Sequence, residues 1–177
     1  MRPYYLIVFL LLSFETYSQK LPKFNLKDIE GNDISEKDLI GKNVYINVWE
    51  TWCKPCLMEI PILNSTKERM KNIVFLAITP ASKQKVIKTL QKYPFEFRII
   101  PDAKDYTKLL GVESYPSHFF IDSTGNFSEI KRFAFSVTYN QNDYINGKPS
   151  KKEQEALFLK QNKDILFNKL HELLKNR

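Results

Sequence analysis

The sequence contains few cysteines and few histidines. Among its 177 residues, the cysteines are Cys53 and Cys56, and the histidines are His118 and His171. A bridge between cysteines three positions apart closes so short a loop that it constrains little of the unfolded chain. A structural zinc site normally needs four ligands, and this spacing supplies half of one. The pattern therefore favours redox chemistry over a structural bridge or a metal site.

Long hydrophobic runs are also scarce. The apolar stretch Leu6–Phe14 is shorter than the roughly 20 residues that a membrane-spanning helix needs. It follows a short positive start and precedes the small residues Thr16 and Ser18, a pattern typical of a signal peptide. We expect residues 1–19 to be cleaved on export and residues 20–177 to form the mature protein, with no stable membrane span after cleavage. Retention of the uncleaved segment as a membrane anchor is the alternative.

A basic tract is absent, although the formal net charge is +7. The lysines are scattered along the chain, which favours an ordinary basic surface over a nucleic-acid site.

The chain is long enough for one domain with a substantial core. Its 43% hydrophobic and 27% charged residues are typical of a soluble globular protein. Without repeats, low-complexity segments or a linker, the sequence predicts one domain after the leader.

Hydrophobic periodicity predicts an alternation of strands and helices. The predicted elements, in chain order, are an extended lead-in at Lys20–Lys42, a strand at Asn43–Trp49, a helix at Cys53–Lys71 interrupted at Pro61, a strand at Ile73–Ile78, a helix at Lys83–Lys92, a strand at Phe95–Ile100, a helix at Asp102–Leu110, a strand at His118–Asp122, its partner at Phe127–Phe135, a polar loop at Tyr139–Ser150 and a long helix at Lys151–Asn176. Strand–helix alternation indicates parallel strands joined by right-handed crossovers. The terminal hairpin adds antiparallel strands, so we expect an α/β fold with a mixed sheet.

The segment from Trp52 to Cys56 has the features of a dithiol exchanger. A buried strand would deliver Cys53 to the amino-terminal end of a helix, where free N–H groups and the helix dipole favour a thiolate. Lys54 places a positive charge beside that thiolate, and Pro55 fits the first helical turn, where its missing N–H costs nothing. Cys56, one turn inside, is expected to be shielded yet within reach of the Cys53 sulfur. Trp52 is expected to form an apolar rim for a polypeptide substrate.

Several motifs carry a family resemblance over about 60% of the chain, from Leu21 to Phe127. They are the run from Asn47 to Cys56 (NVWETWCKPC), then Glu59 and Pro61, Gly111-Val112, Tyr115-Pro116 and the run from Phe119 to Asp122 (FFID). With these residues the chain resembles the TlpA/ResA-like family of exported thioredoxins. The resemblance implies a thioredoxin fold, in which a central mixed β-sheet of parallel βαβ units ends in an antiparallel hairpin and carries helices on both faces.

The same resemblance implies an activity. A protein of this family is a thiol–disulfide oxidoreductase that works through a redox-active disulfide and needs no other cofactor. Its partners are protein dithiols and disulfides, together with an upstream membrane thiol donor. Its location is periplasmic, and its roles are cytochrome c maturation or general disulfide repair, with reduction as the expected direction.

The resemblance also assigns roles to residues outside the cysteine motif. Pro116 matches a cis-proline that faces the redox pair, and the Tyr115 backbone would then pair with an extended substrate as an added strand. Glu59 lies three residues after Cys56 on the same helix face. It matches a carboxylate that takes the proton from Cys56 as this thiol attacks. Spacing alone leaves open a solvated surface glutamate and an ordinary trans proline. The catalytic set is thus Cys53, Cys56 and Glu59, and the substrate-binding set is Trp52, Lys54, Pro55, Tyr115 and Pro116.

Other functional classes were weighed against the same residues. A metallochaperone or haem-handling module that uses the two thiols as ligands stays the alternative. A copper carrier of the Sco type needs a C-x-x-x-C pair, so His118 is interpreted as an ordinary strand residue. A peroxiredoxin needs threonine and proline three and seven positions before its cysteine. Those positions before Cys53 hold Glu50 and Ile46, which argues against a peroxidase.

Overall fold

A computed structural model of the chain describes residues 20–130 and 150–175. The described elements are β1 (Asn25–Lys27), β2 (Asp33–Ser35), a 3₁₀ turn (Glu36–Leu39), β3 (Asn43–Val48), α1 (Lys54–Arg69), β4 (Ile73–Ile78), α2 (Lys83–Leu90), β5 (Arg98–Ile100), α3 (Lys104–Leu109), β6 (Ser117–Ile121), β7 (Phe127–Glu129), α4 (Lys151–Asn162) and α5 (Ile165–Lys175). Among these described helices, none has the length and apolar character to cross a membrane.

Strand β3 lies at the centre of a five-stranded sheet with the order β5-β4-β3-β6-β7. It pairs in parallel with β4 and antiparallel with β6. The β4–β5 pair is parallel, and the β6–β7 pair is antiparallel. The predicted mixed sheet with a terminal antiparallel hairpin is confirmed, and the topology is that of a thioredoxin-like fold. Ahead of it, the predicted extended lead-in contains a separate two-stranded hairpin formed by β1 and β2.

The two faces of β3 belong to two apolar cores, because successive side chains of a strand point to opposite sides. Val44, Ile46 and Val48 face a core that includes residues of α3 and of the β1–β2 hairpin. Tyr45 and Trp49 face a second core, to which α1, α2 and α5 contribute. Helices therefore cover both faces of the sheet, as predicted. The two cysteines belong to the second core.

Helix α1 continues through Pro61, so the predicted interruption there is wrong. Proline inside a helix loses one backbone hydrogen bond and costs about 3 kcal/mol. Its neighbours Ile60, Ile62 and Leu63 are buried. Burial of such a side chain contributes about 1.5–3 kcal/mol. Packing of α1 against the sheet thus outweighs the local cost, while the Pro61 ring itself stays exposed.

The predicted single helix at Lys151–Asn176 is wrong, because α4 and α5 are separate helices. The buried Asn162 donates its side-chain amide to the Phe158 carbonyl at 2.7 Å, a local bond of the kind that competes with helix continuation. Two residues later, Asp164 forms an ion pair with Arg69 of α1 at 2.7 Å. Side-chain bonds at the junction therefore favour a break that hydrophobic periodicity does not reveal.

Several other boundaries differ from those predicted. Helix α2 ends at Leu90, two residues before the predicted boundary at Lys92. Strand β5 is shorter than the predicted Phe95–Ile100 segment. The described part of the hairpin's second strand is β7. The rest of that predicted strand, almost all of the predicted polar loop, the leader and the last two residues lie outside the described residues.

Candidate active site

The two cysteines form a disulfide at the start of α1. Cys53 is the N-cap residue of the helix, and its sulfur is bonded to that of Cys56 at 2.07 Å. The Cys56 backbone N–H donates to the Cys53 Sγ at 3.2 Å. The loop after β3 holds this turn, because the Cys53 N–H donates to the Glu50 carbonyl at 3.1 Å. The predicted position of Cys53 at a helix amino terminus is confirmed, where a thiolate is stabilised after reduction.

Both sulfurs are shielded in this disulfide form. Cys53 is 4% exposed and Cys56 is 1% exposed. The shielding expected for Cys56 therefore extends to Cys53 in the oxidised protein, in which the bond holds this side chain against the core. Lys54 and Pro55 are exposed, and Trp52 is 72% exposed. The motif thus presents its flanking side chains to solvent.

Trp52 meets the segment that contains the predicted cis-proline. Its ring lies perpendicular to that of Tyr115, with 6.0 Å between the ring centroids, the edge-to-face geometry that aromatic pairs prefer. The peptide bond between Tyr115 and Pro116 is cis. This confirms the conformation implied by the family resemblance, and the trans alternative is wrong. Two segments far apart in sequence are therefore joined beside the disulfide motif.

A groove of about 310 Å³ runs along α1 beside the motif. Lys54, Leu57 and Met58 line it on the α1 side, and Phe158 and Leu159 of α4 line the opposite side. Its walls combine an exposed cation at the motif with apolar side chains further along. The chain therefore has a concave surface directly next to the redox pair.

Glu59 is buried below the surface of α1, with 2% of the residue exposed. One carboxyl oxygen accepts a hydrogen bond from the Asn47 side-chain amide at 2.8 Å. Burial raises the pKa of Glu59 to about 8, although the Asn47 bond acts in the opposite direction. The solvated alternative is therefore wrong, and the carboxyl carries a proton at neutral pH in the oxidised protein. The i, i+3 spacing places it on the same helix face as Cys56.

A histidine and a tyrosine extend this buried polar group. The strand register pairs His118 with Asn47, and the His118 Nε2 lies 3.6 Å from a carboxyl oxygen of Glu59. The other ring nitrogen, Nδ1, lies 2.6 Å from the Tyr45 hydroxyl. Burial lowers the pKa of His118 to about 4 and raises the pKa of Tyr45 well above its usual range. At neutral pH the contact between His118 and Glu59 is therefore not an ion pair.

The sequence does not predict that His118 and Tyr45 lie next to Glu59 and Asn47. Strand alternation already places His118 on the same face as Phe120, and Tyr45 on the same face as Asn47. The missing information was the pairing of β3 with β6, which joins residues 71 positions apart. Side-chain pattern alone does not supply such a register. Within residues 20–130 and 150–175, the structure contains no cluster of three or more His, Cys, Asp or Glu side chains suited to a metal ion.

The fold and the site define a class of protein, one with a thioredoxin-like fold and a cysteine pair at the start of the helix that follows the central strand. The chain belongs to the AhpC/TSA family, whose sequence profile matches residues 17–130. The family match does not indicate a peroxidase, because Glu50 and Ile46 occupy the positions where a peroxiredoxin has threonine and proline.

Individual relatives support the assignment. The chain is 35% identical over 117 residues to the thiol-disulfide oxidoreductase ResA of Bacillus cereus, an alignment that covers 63% of this chain and 66% of that protein. It is 32% identical over 131 residues to the thioredoxin-like protein YneN of Bacillus subtilis, covering 66% and 77%. A crystal structure of a DsbE-type thiol:disulfide interchange protein from Chlorobium tepidum matches with a TM-score of 0.59 and 27% identity, covering 79% and 94%. The chain is a thiol–disulfide oxidoreductase of the thioredoxin type.

Proposed function

We propose that the protein reduces disulfides of exported proteins through Cys53 and Cys56. The observation that carries this proposal is the disulfide at the start of α1, beside the exposed Trp52 and its contact with Tyr115. A helix amino terminus stabilises the thiolate that attacks. The flanking surface offers apolar and backbone groups to a polypeptide. An upstream membrane thiol donor returns the pair to its dithiol form.

The reaction is two successive exchanges. The Cys53 thiolate attacks one sulfur of the substrate disulfide, a mixed disulfide forms, and the other substrate sulfur leaves as a thiolate. Cys56 then loses its proton and attacks the Cys53 sulfur, which releases the second substrate thiolate and leaves the Cys53–Cys56 bond. Two electrons pass to the substrate. In regeneration, a donor thiolate attacks the Cys53 sulfur, and Cys56 leaves as a thiolate. A second donor thiolate then attacks the donor sulfur bonded to Cys53, which releases the Cys53 thiolate and leaves the donor oxidised to a disulfide.

Glu59 moves the proton of Cys56 in both directions. When Cys56 attacks, the ionised Glu59 accepts its proton. When Cys56 leaves during regeneration, the neutral Glu59 returns that proton. The pKa of about 8 in the oxidised form supports this role, because the carboxyl then holds a proton at the moment when Cys56 needs one. A base whose pKa lies near the working pH performs both tasks well.

The substrate binds across the surface formed by Trp52, Tyr115 and Pro116. The backbone at Tyr115 adds an extended substrate segment as a strand, and the two aromatic rings cover the apolar side chains next to its disulfide. Lys54 and Pro55 border the same surface and are exposed. Lys54 attracts acidic substrate groups and stabilises the Cys53 thiolate.

The direction of electron flow is tested by equilibrating the pair with glutathione buffers of known ratio. A pair more reducing than the glutathione couple supports the proposal, and a pair more oxidising contradicts it.

The metallochaperone or haem-handling alternative uses the same sulfurs. Stoichiometric metal or haem retained after purification under reducing conditions would favour that alternative.

We also infer that residues 1–19 direct export to the periplasm and are then removed. The support is the short positive start and the apolar run before Thr16 and Ser18. The intact mass of protein from its native envelope distinguishes the two forms. A mass that begins at about Gln19 or Lys20 supports cleavage, whereas a mass that includes Met1 indicates an anchored protein.

A further inference from the structure

A buried polar group surrounds Glu59 on the α1 face that it shares with Cys56, and the proposed exchange reaction uses just one of its members. Glu59 on α1, Asn47 and Tyr45 on β3, and His118 on β6 are all at least 97% buried. The strand pairing of Asn47 with His118 fixes their relative positions. A histidine in such a place has been desolvated at considerable cost, so its contacts are informative.

The contacts of the His118 ring nitrogens favour one of its two neutral tautomers. The Tyr45 hydroxyl lies 2.6 Å from Nδ1, and the Asn47 amide nitrogen, which can only donate, lies 3.4 Å from the same atom. The Tyr45 hydroxyl can donate or accept, so the Asn47 contact is the one that favours Nδ1 as the acceptor, with the hydroxyl then donating to it. In neutral imidazole the other nitrogen is then the donor. The Nε2–H is therefore on the side of Glu59, 3.6 Å from its carboxyl oxygen.

We propose that His118 is a positioning residue that controls the proton affinity of Glu59, and that Tyr45 fixes His118 in the tautomer this requires. The inference rests on the proposed role of Glu59 in the exchange reaction. A neutral N–H beside the carboxyl stabilises the carboxylate more than the acid. Because the surroundings are apolar, this interaction is stronger than it would be in water. At 3.6 Å the His118 N–H acts on the Glu59 carboxyl through its bond dipole. The contact becomes a hydrogen bond if the carboxyl moves slightly.

In residues 20–130 and 150–175, further polar and apolar side chains approach this pair from β3, α1, β6 and α5. Tyr45 and Asn47 approach from β3, and Cys56 shares the α1 face with Glu59. Phe120 on β6, Ile130 after β7, and Leu166 and Leu170 on α5 add apolar side chains to the same core. Tyr45 keeps its proton across the accessible pH range, since burial and Glu59 both raise its pKa. Glu59 and Cys56 are thus the groups of this set that change charge during the reaction.

The test is a titration of the Glu59 carboxyl in the oxidised full-length protein, followed by NMR with ¹³C-labelled glutamate and assigned with Glu59→Gln. We expect a midpoint near 8 in the wild type. His118→Leu removes the N–H and should raise that midpoint by about one pH unit. His118→Gln keeps a side-chain N–H and should give a smaller shift. Tyr45→Phe removes the hydroxyl beside Nδ1 and allows His118 to adopt its other tautomer. This variant should also raise the midpoint of Glu59, and its side chain has nearly the same shape.

Kinetics separate this inference from the proposed function. If Glu59→Gln slows resolution of the mixed disulfide but His118→Leu leaves both the Glu59 midpoint and the resolution rate unchanged, the inference is overturned and the proposed function stands. If Glu59→Gln leaves the resolution rate unchanged, the proposed role of Glu59 in the exchange is wrong. The effect of His118→Leu on the titration midpoint of Glu59 still tests the inference about His118. His118→Leu in the Glu59→Gln background should have no further effect on the rate, and an undiminished effect there overturns the inference. Should His118→Leu not fold, Tyr45→Phe decides, and an unchanged or lowered midpoint counts against the inference.

Discussion

At the scale of residues, Glu59 is the buried carboxyl that we propose accepts and returns the proton of Cys56. Its burial disfavours the charged form, and the Asn47 amide offsets part of that effect. An exposed glutamate would be ionised throughout the physiological range and could not return a proton to Cys56. The useful property is therefore produced by position in the fold rather than by residue type.

Substitution of Glu59 by glutamine tests this role. The variant keeps the shape but cannot accept a proton, so resolution of a Cys53 mixed disulfide should slow by about 10²–10⁴-fold at neutral pH. The initial attack by Cys53 should change much less. Single-turnover kinetics of the preformed mixed disulfide measure the step, with Glu68→Gln, exposed on the same helix, as the matched control. Resolution at the wild-type rate across neutral pH would exclude Glu59 as the proton acceptor.

The same burial makes stability depend on pH. Relative to ordinary values of 4.5 and 6.5, the pKa of Glu59 is raised to about 8 and that of His118 is lowered to about 4. Between pH 4.5 and 6.5 the two effects on stability oppose each other. Between pH 6.5 and 8 the folded protein keeps a Glu59 proton that the unfolded chain has lost. The free energy of unfolding should therefore fall as pH rises, by about 2 kcal/mol over this window.

Urea denaturation of the oxidised protein between pH 5 and 9 measures this fall. Glu59→Gln should abolish it, because the amide does not titrate. An equal fall in the wild type and in Glu59→Gln would mean that another group is responsible.

The residues of the site differ in how far the sequence predicts them. The cysteine pair follows from local chemistry, whereas the role of Glu59 comes from the family resemblance, because its spacing along one helix leaves a surface glutamate open. His118 depends on the register between two strands that are far apart in sequence. Its interpretation as an ordinary strand residue was therefore incomplete, since residue type and alternation gave its face but not its neighbours.

At the scale of elements, the carboxyl end of α1 is joined to the junction between α4 and α5. Arg69 forms an ion pair with Asp164 at 2.7 Å, and its guanidinium lies 3.7 Å from the centre of the Phe167 ring. One side chain thus combines an ionic and a cation–π contact across two helices. This joint helps hold α1, which carries the cysteines, against α5.

Removal of Arg69 should weaken this joint. Arg69→Ala loses both contacts and is expected to lower the free energy of unfolding by about 1–2 kcal/mol. Asp164→Asn loses only the half-exposed ion pair and should cost less than about 1 kcal/mol. Chemical denaturation of the two variants and the wild type gives the comparison. An Asp164→Asn effect as large as that of Arg69→Ala would show that the ring contact contributes nothing.

The secondary-structure elements were predicted well where the hydrophobic pattern of the sequence coincides with burial in the structure. The buried strands β3 and β4 match their predicted segments almost residue for residue. The helix predicted at Lys151–Asn176 failed at a junction where Asn162 bonds to a nearby carbonyl and Asp164 bonds to a distant helix. Hydrophobic periodicity continues across that junction, so the break needs tertiary information.

At the scale of the whole molecule, the redox pair rests on a core that the carboxyl-terminal helix completes. Leu166 and Leu170 of α5 are fully buried in the same cluster as both cysteines. The residues after the predicted polar loop are therefore part of the domain that carries the site. The single domain expected for residues 20–177 stays a prediction.

The contribution of α5 is measured by truncating one of its core side chains. Leu166→Ala should lower the free energy of unfolding by about 2–5 kcal/mol, because it removes buried methyl groups and leaves a cavity. The neighbouring Ile165 is exposed at 39%, and Ile165→Ala should change stability by less than about 1 kcal/mol. Equal small effects from both variants would mean that α5 is not an integral part of the core.

The account depends most directly on Cys53 as the attacking thiol and Cys56 as the resolving one. Each cysteine is replaced by serine in turn, and the reduced variants are mixed with a disulfide-containing protein and analysed by non-reducing mass spectrometry. Cys56→Ser should accumulate a mixed disulfide through Cys53, because nothing resolves it, whereas Cys53→Ser should trap little or none. Equal trapping by both variants, or trapping through Cys56 alone, would contradict the proposed mechanism.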